Sequence, residues 1–354
     1  MSETSSFMIY GANGYTGRYC ALEAVRRGLR PIIAGRDTER VAHVAAELNL
    51  PQRVFALEDT VSATRALEGV RVVLNCAGPF SRTAKPLLDA CVVSKSHYLD
   101  VTGEIAVFEY IHQLNAIWRE AGIVVLPGAG FDVVPTDCMA AMLKEALPDA
   151  TRLRLAFKNK RGRLSPGTAK TMIEGFAQGC TVRRNGTLEQ TSFGALSDTL
   201  PYPGGPSLSV VIPWGDVSTA YYSTGIPNIE VYTAIPPGQL DQIKSSGAIF
   251  KLLRLKWAQI IAQKIAGWAI TGPDDEQREM DSSELYGDAA NEEGYHVSMT
   301  MTAPNGYSLT FESSITCAER VLAGEVAPGA WTPSLAFGSH FITELSGVSC
   351  SLKE

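Results

Sequence analysis

The sequence predicts an α/β chain: a doubly wound parallel sheet over residues 1–130, an α+β domain with a mostly antiparallel sheet over 131–325, and a helical tail over 326–354 that returns to the first domain. Three observations carry that prediction. Short apolar runs alternate with amphipathic stretches through the first third of the chain. A glycine-punctuated turn joins the first apolar run to the first amphipathic stretch. Beyond Thr151 the apolar period shortens to two, with turn residues between the runs.

The elements follow in order. Phe7 to Tyr10 reads as a buried parallel strand and runs straight into Gly11-x-x-Gly14-x-x-Gly17, with Asn13, Tyr15 and Thr16 between the glycines. A helix from about Tyr15 to Arg27 follows. Strand, glycine turn and helix together form a pyrophosphate cradle: glycine lets backbone approach the phosphates, and the helix N-terminus presents N–H groups and a positive dipole end. A glycine turn without a ligand is the plainer alternative. The second strand, Pro31 to Gly35, ends in Arg36-Asp37. An NAD site usually carries an acid here for the ribose 2′-hydroxyl. Arg36 instead suits a 2′-phosphate, which a guanidinium pairs bidentately, so NADP(H) is the expected cofactor. The competing reading pairs Arg36 with Asp37 and lets Asp37 read the hydroxyl.

Thr38 to Leu48 is the next predicted helix, followed by a strand at Val54 to Ala56 and a helix at Val61 to Leu67. The β-branched run Val70 to Cys76 is the fourth strand, and Thr83 to Ser94 its crossover helix. His97 to Asp100, a helix over Ala106 to Ala121, and Ile123 to Leu126 complete six strands. Ligands of such sheets lie beyond the carboxyl ends of the strands. Three of those ends stand out: Ala77-Gly78-Pro79-Phe80, Asp100 with Thr102, Gly103 and Glu104, and Gly128 to Asp132. Each has a structural alternative, a turn for Gly-Pro and helix capping for the acids.

Gly11-Ala12-Asn13-Gly14-Tyr15-Thr16-Gly17-Arg18, Ala34-Gly35-Arg36-Asp37, Asn75 to Phe80, Tyr98 to Glu104 and Gly130-Phe131-Asp132-Val133-Val134-Pro135-Thr136-Asp137 occur in that order. This series resembles the saccharopine dehydrogenase-like oxidoreductases, a group that includes trans-acting enoyl reductases of polyketide and lipid assembly. Pro166-Gly167-Thr168-Ala169 and Trp331 to Gly338 are similar to that family as well. The resemblance is specific in the cofactor half and loose in the substrate half. It implies a Rossmann domain that binds NADP(H) and hydride transfer to a C=C (enoyl) or C=N (imine) bond of a small-molecule or acyl substrate. No positions match a grip on saccharopine itself.

In the second domain, alternating runs at Leu153 to Phe157, Leu208 to Ile212, Ile229 to Tyr232, Tyr295 to Met301 and Tyr307 to Phe311 predict strands, with Asn305-Gly306 as a hairpin turn. Thr168 to Phe176 reads as a helix. Thr191 to Pro206, rich in proline and glycine, reads as a loop suited to a lid. Thr316 to Leu322 and Pro333 to Leu345 read as helices. Residues 248–270 place Phe250, Leu253, Trp257, Ile260, Ile261, Ile265 and Trp268 on one helical face, interrupted by Lys251, Arg254, Lys256 and Lys264. Those cations argue against a transmembrane span. A face docked on the body or on a second subunit, as in a homodimer, competes with a helix lying on a membrane surface or an acyl chain.

Composition narrows the function classes. A net charge of −6 speaks against a nucleic-acid partner. Met1 to Ser6 is polar with no secretory h-region. Seven cysteines without a C-x-x-C pair suit a reducing cytoplasm, and the scattered histidines predict no metal site. There is no Tyr-x-x-x-Lys pair, no G-x-S-x-G elbow and no H-E-x-x-H. Hydride chemistry needs orientation and one proton source. Candidates for that source are Glu104, Asp132 and Lys170, with Tyr98 a weaker fourth. A non-catalytic NADP(H)-binding redox sensor is the alternative that fold alone leaves open.

Overall fold

The computed structural model describes residues 6–159, 165–236, 238–245, 252–253, 255–270 and 272–353. The chain divides into two compact units. Unit 1 comprises 1–102, 106–131 and 310–336; unit 2 comprises 103–105, 132–309 and 337–354.

Unit 1 is a parallel sheet. Strands β1 (Phe7–Tyr10), β2 (Ile32–Gly35), β3 (Gln52–Val54), β4 (Val72–Asn75), β5 (His97–Asp100) and β6 (Val124–Leu126) alternate with α1 (Tyr15–Arg26), α2 (Thr38–Leu48), α3 (Thr60–Ala66), α4 (Phe80–Ser94), α5 (Ile105–Gln113) and α6 (Asn115–Ala121). Their spatial order is β6-β5-β4-β1-β2-β3, and a seventh strand, Gly329–Ala330, pairs parallel with β6 at the edge. The central strands are apolar on both faces, as a sheet covered on both sides requires. Met8, Ile9, Val72, Val73 and Leu74 are fully buried. The order reverses at β1, whose carboxyl end opens beside that of β4; this is the topological switch point of the sheet.

The predicted helix over Ala106 to Ala121 is two helices, interrupted at Leu114. Asn115 begins α6, and its side-chain oxygen accepts the Ala330 N–H at 2.8 Å, tying the seventh strand down.

Unit 2 holds a mixed sheet. After α7 (Val134–Ala146) come β7 (Arg152–Asn159), α8 (Pro166–Gln178), β8 (Cys180–Arg184), β9 (Thr187–Thr191), β10 (Ser197–Tyr202), β11 (Gly205–Val211), α9 (Asp216–Thr224), β12 (Asn228–Ala234), α10 (Gln239–Ser245), α11 (Lys256–Ala269), β13 (Ser282–Ala290) and β14 (His296–Pro304). The path runs β10-β11-β12-β7-β13-β14 and ends on the C-terminal strand Ser349–Lys353. Only the β12–β7 pairing is parallel along this path. Helix α7 lies close on β13: a Cβ at Gly287 would sit 2.6 Å from the Met139 sulfur, which explains a glycine inside a long strand.

Further expectations change. The tail 326–354 is not wholly helical and does not return as one piece: Gly329–Ala330 is a strand of unit 1, whereas 337–354 belong to unit 2 and end in the strand Ser349–Lys353 on β14. Asn305-Gly306 is not a hairpin turn, and Tyr307 to Phe311 is not a strand; Gly306–Leu322 is one helix. The Asn305 side chain accepts the Tyr307 N–H at 2.9 Å, the local bond of a helix start rather than a hairpin. Thr191 to Pro206 is not an open loop either. It contains β10, which pairs antiparallel with β11 from Ser197↔Val210 to Tyr202↔Gly205. Alternate apolar residues there, Leu200 and Tyr202, enter a small core with Val182, Val211 and Tyr232. Of the 248–270 segment, residues 248–251 and 254 lie outside the described residues.

Candidate functional site

The glycine turn occupies the carboxyl end of β1. Gly11 has φ +82°, and a Cβ on it would lie 2.7–2.9 Å from the N, Cα and Cβ of Ala77. The loops after β1 and β4 therefore touch, and only glycine fits between them. Gly17 performs a different task. A Cβ there would collide with the Gly11 carbonyl oxygen and lie 2.7 Å from the Ala12 Cα, so its absence lets α1 settle on the turn. Gly14 is the N-cap of α1 and offers no capping side chain. The first intrahelical bond is Arg18 N–H to Gly14 O at 3.0 Å. The amides of Tyr15, Thr16 and Gly17 precede the helical ladder. A bare, glycine-lined helix start at the switch point fits a pyrophosphate.

The end of β2 supplies cations. Arg36 is exposed. Asp37 caps α2, accepting the Arg40 N–H at 3.1 Å, and its carboxylate lies 3.6 Å from the Arg40 guanidinium. The Asn13 side chain lies over Gly35, where a Cβ would meet its Oδ1 at 2.7 Å. Asn13, Arg18, Glu39, Arg40, His43, Val44 and Glu47 line a cavity of about 530 Å³ beside this strand end. Arg40 and His43 are absent from the sequence-based site. They are an i, i+3 pair in the first turns of α2 and read in sequence as ordinary surface positions of a helix.

The ends of β4 and β5 are held by a buried polar network. The Asn75 Oδ1 accepts the Ala77 N–H at 3.0 Å, and its amide donates to Tyr98 Oη at 3.1 Å and Thr83 Oγ1 at 3.2 Å. Tyr98 donates to Asp100 Oδ2 at 2.8 Å. Asp100 Oδ1 accepts N–H groups from Thr102 at 3.0 Å and Gly128 at 2.9 Å. Asp100 is fully buried, and desolvation pushes its pKa up to about 6 against the lowering effect of these bonds. Its carboxylate is thus occupied in fixing strand ends. Gly78-Pro79 leads into α4, and the Phe80 side chain is buried in the unit 1 core.

The proton-source candidates Glu104, Asp132 and Lys170 all belong to unit 2, as does Gly103, while the other predicted cofactor residues belong to unit 1. Gly103 abuts Asp132: a Cβ there would sit 2.9 Å from Asp132 Oδ2. Asp132 keeps part of its surface open, yet its carboxyl is desolvated enough to push its pKa up to about 7. The Trp214 indole N–H holds the Asp132 carbonyl at 2.8 Å. Around Asp132 lie groups that the sequence reading did not assign. Asp216, at the start of α9, is fully buried and strongly shifted upward, first by desolvation. Thr219 donates to its Oδ1 at 3.3 Å, and its Oδ2 has no hydrogen-bond partner among the described residues. Asp137 accepts from Ser223. The Tyr307 hydroxyl accepts the Ser165 N–H at 2.5 Å and bonds Thr168 Oγ1 at 3.0 Å; burial raises its pKa, and the Asp132 charge adds to that. Glu104 and Lys170 are half-buried, Lys170 on α8. Tyr98 is committed to Asn75 and Asp100.

Comparison with known proteins fits this geometry. Residues 7–126 match the family model of the saccharopine dehydrogenase NADP binding domain. A Mycobacterium tuberculosis protein named as a trans-acting enoyl reductase is 28% identical over 182 residues, covering 47% of this chain and 43% of that protein. The human saccharopine dehydrogenase-like oxidoreductase is 25% identical over 150 residues, covering 37% and 35%. The chain thus spans less than half the length of these curated relatives. Apo saccharopine dehydrogenase (L-Glu forming) from Saccharomyces cerevisiae shares the fold, with a TM-score of 0.70 over 99% of both chains at 12% identity. From the first strand through the switch-point loops to β6, residues 7–126 are thus similar to the saccharopine dehydrogenase NADP-binding domain family.

Proposed function

We propose that the protein is an NADP(H)-dependent oxidoreductase that reduces a polarised C=C or C=N bond of a small-molecule or acyl substrate. The observation that carries the proposal is the bare start of α1 beneath the Gly11–Ala77 contact, with Arg36 just after β2 and Arg40 in the first turn of α2. Gly11, Asn13, Gly14, Tyr15, Thr16 and Gly17 would hold the pyrophosphate through backbone. Arg36, with Arg40 and His43 from the first turns of α2, would read the 2′-phosphate. Ala77 and Gly78 bring backbone toward the ribose. When bound, NADPH supplies the hydride.

Asp132 is our choice for the proton donor. A carboxyl with a pKa near 7 is still substantially protonated at neutral pH, and a donor is most effective when its pKa lies near the operating pH. In an enoyl reduction the hydride reaches the β-carbon, and the Asp132 proton goes to the α-carbon. In an imine reduction the same acid keeps the nitrogen protonated. The enoyl reading is favoured by the name of the mycobacterial relative. Gly103 leaves room for the carboxyl, and the Trp214 indole N–H holds the Asp132 backbone carbonyl. The test is NADPH oxidation, followed by absorbance, with a 2-enoyl thioester and with a cyclic imine. The proposal expects turnover of one class, with kcat reduced about 100-fold or more in Asp132→Asn and NADPH affinity unchanged. Equal turnover by the variant would remove Asp132 from the reaction.

A further inference from the structure

Helix α11 carries an apolar face that is left exposed among the described residues. Ala258 and Ala266 are buried on the side packed against α8, where Gln263 also donates to Glu174 at 2.8 Å. On the remaining helix surface, turned away from Ala266, Trp257 is 58% exposed, Ile261 50%, Ile265 60% and Trp268 90%. At 3.6 residues per turn these four positions fall within roughly 80° of arc. Lys264 lies at one edge of that arc, and Lys256 lies beyond it on the same flank; both are exposed. The helix thus presents its small residues to the protein and its largest apolar residues to solvent, the reverse of an ordinary surface helix.

The charge of the neighbouring sequence selects an occupant. From Gln242 to Pro273 there are five Lys and Arg residues (Lys244, Lys251, Arg254, Lys256 and Lys264) and no Asp or Glu, in a chain whose net charge is −6. A two-fold contact with a second copy would bring the same face against itself, and no acid in this segment could meet Lys256 or Lys264. An anionic lipid surface meets both features. Headgroups pair with the lysines, the tryptophan rings take the interfacial layer, and Ile261 and Ile265 reach the acyl boundary. We propose that α11 docks the protein in-plane on an anionic membrane surface.

The test is sedimentation of the full chain with vesicles of phosphatidylcholine alone and of phosphatidylcholine with phosphatidylglycerol, read together with tryptophan fluorescence and size-exclusion chromatography. The proposal expects binding to the anionic vesicles, a blue shift on binding, and weakening with added salt. Lys256→Gln with Lys264→Gln should weaken partitioning about fivefold for each cation removed. Trp257→Ser with Trp268→Ser should abolish it; both side chains are solvent-facing, so the fold should persist, with unchanged NADPH binding as the check. Failure to bind either vesicle would overturn the proposal. So would a stable dimer that Trp268→Ser dissociates, since the face would then belong to a second copy.

Discussion

Replacing Gly11 by Ala tests the contact on which the nucleotide loop is built, and Gly28 provides its control. Both glycines have left-handed backbones, φ +82° at Gly11 and +84° at Gly28. A Cβ at Gly28 meets nothing within 4 Å, whereas at Gly11 it meets three atoms of Ala77 at 2.7–2.9 Å, two of them backbone. The left-handed cost, about 1–2 kcal/mol, is common to both. It is offset by about 0.4–1 kcal/mol because alanine restricts the unfolded chain. Gly28→Ala should therefore destabilise by about 1 kcal/mol or less. Gly11→Ala adds overpacking of about 1–3 kcal/mol, because the neighbour is backbone that cannot rotate away. The difference between the variants, about 2 kcal/mol, is the cost of separating the β1 and β4 loops. Hydrogen exchange of the β1 and β4 amides reads this locally, without assuming that both units unfold together. Gly11→Ala should also weaken NADPH binding at least tenfold, with Gly28→Ala silent. Equal losses at the two positions would refute the reasoning, because they would leave only the shared backbone term.

Other consequences follow from the buried acids. Asp100→Ala removes the acceptor for Thr102, Gly128 and Tyr98 and should cost about 3–5 kcal/mol in unit 1, since each orphaned buried donor costs about 1–3 kcal/mol. Asp100 has a pKa raised from 3.8 to about 6 in the folded chain, so the native state binds its proton more tightly than the unfolded state does. Its contribution to stability is therefore fully present below about pH 4 and lost as pH rises through about 6. Asp100→Asn should flatten the stability profile across that window, checked by urea titrations at stepped pH. For Asp132, raised to about 7, the proposed donor is the protonated form. The rate of reduction should fall as pH rises past 7, and Asp132→Asn should lack that limb in a pH–rate profile.

Much of unit 1 was legible in the sequence because its signals are local. The run Phe7 to Tyr10 and the glycine spacing fix strand, turn and helix within one short window. Arg36 stood out at the end of β2, whereas Arg40 and His43, which the proposed 2′-phosphate site adds, read as ordinary surface positions of a helix. What the sequence concealed depended on long-range packing. Residues 307–311 alternate like a strand, yet Leu309 is fully buried within a helix that Asn305 starts. Thr191 to Pro206 looked like a loop because its prolines are strand breakers; Pro201 and Pro206 face each other across the β10–β11 ladder. Asp216 carries no motif, and its burial beside Asp132 and Asp137 exists only once α7 and α9 pack together. Asp100 was legible as a polar strand end but not as the residue that joins two loops.

The most direct test is fluorescence titration of the protein with NADPH and with NADH, in parallel with Arg36→Ala. The account predicts that NADPH binds more tightly than NADH. In the variant, loss of one charge-assisted pair with the 2′-phosphate, about 2 kcal/mol, should weaken NADPH roughly 30-fold while NADH stays within about twofold. Equal weakening of both nucleotides, or no binding of either, would contradict it.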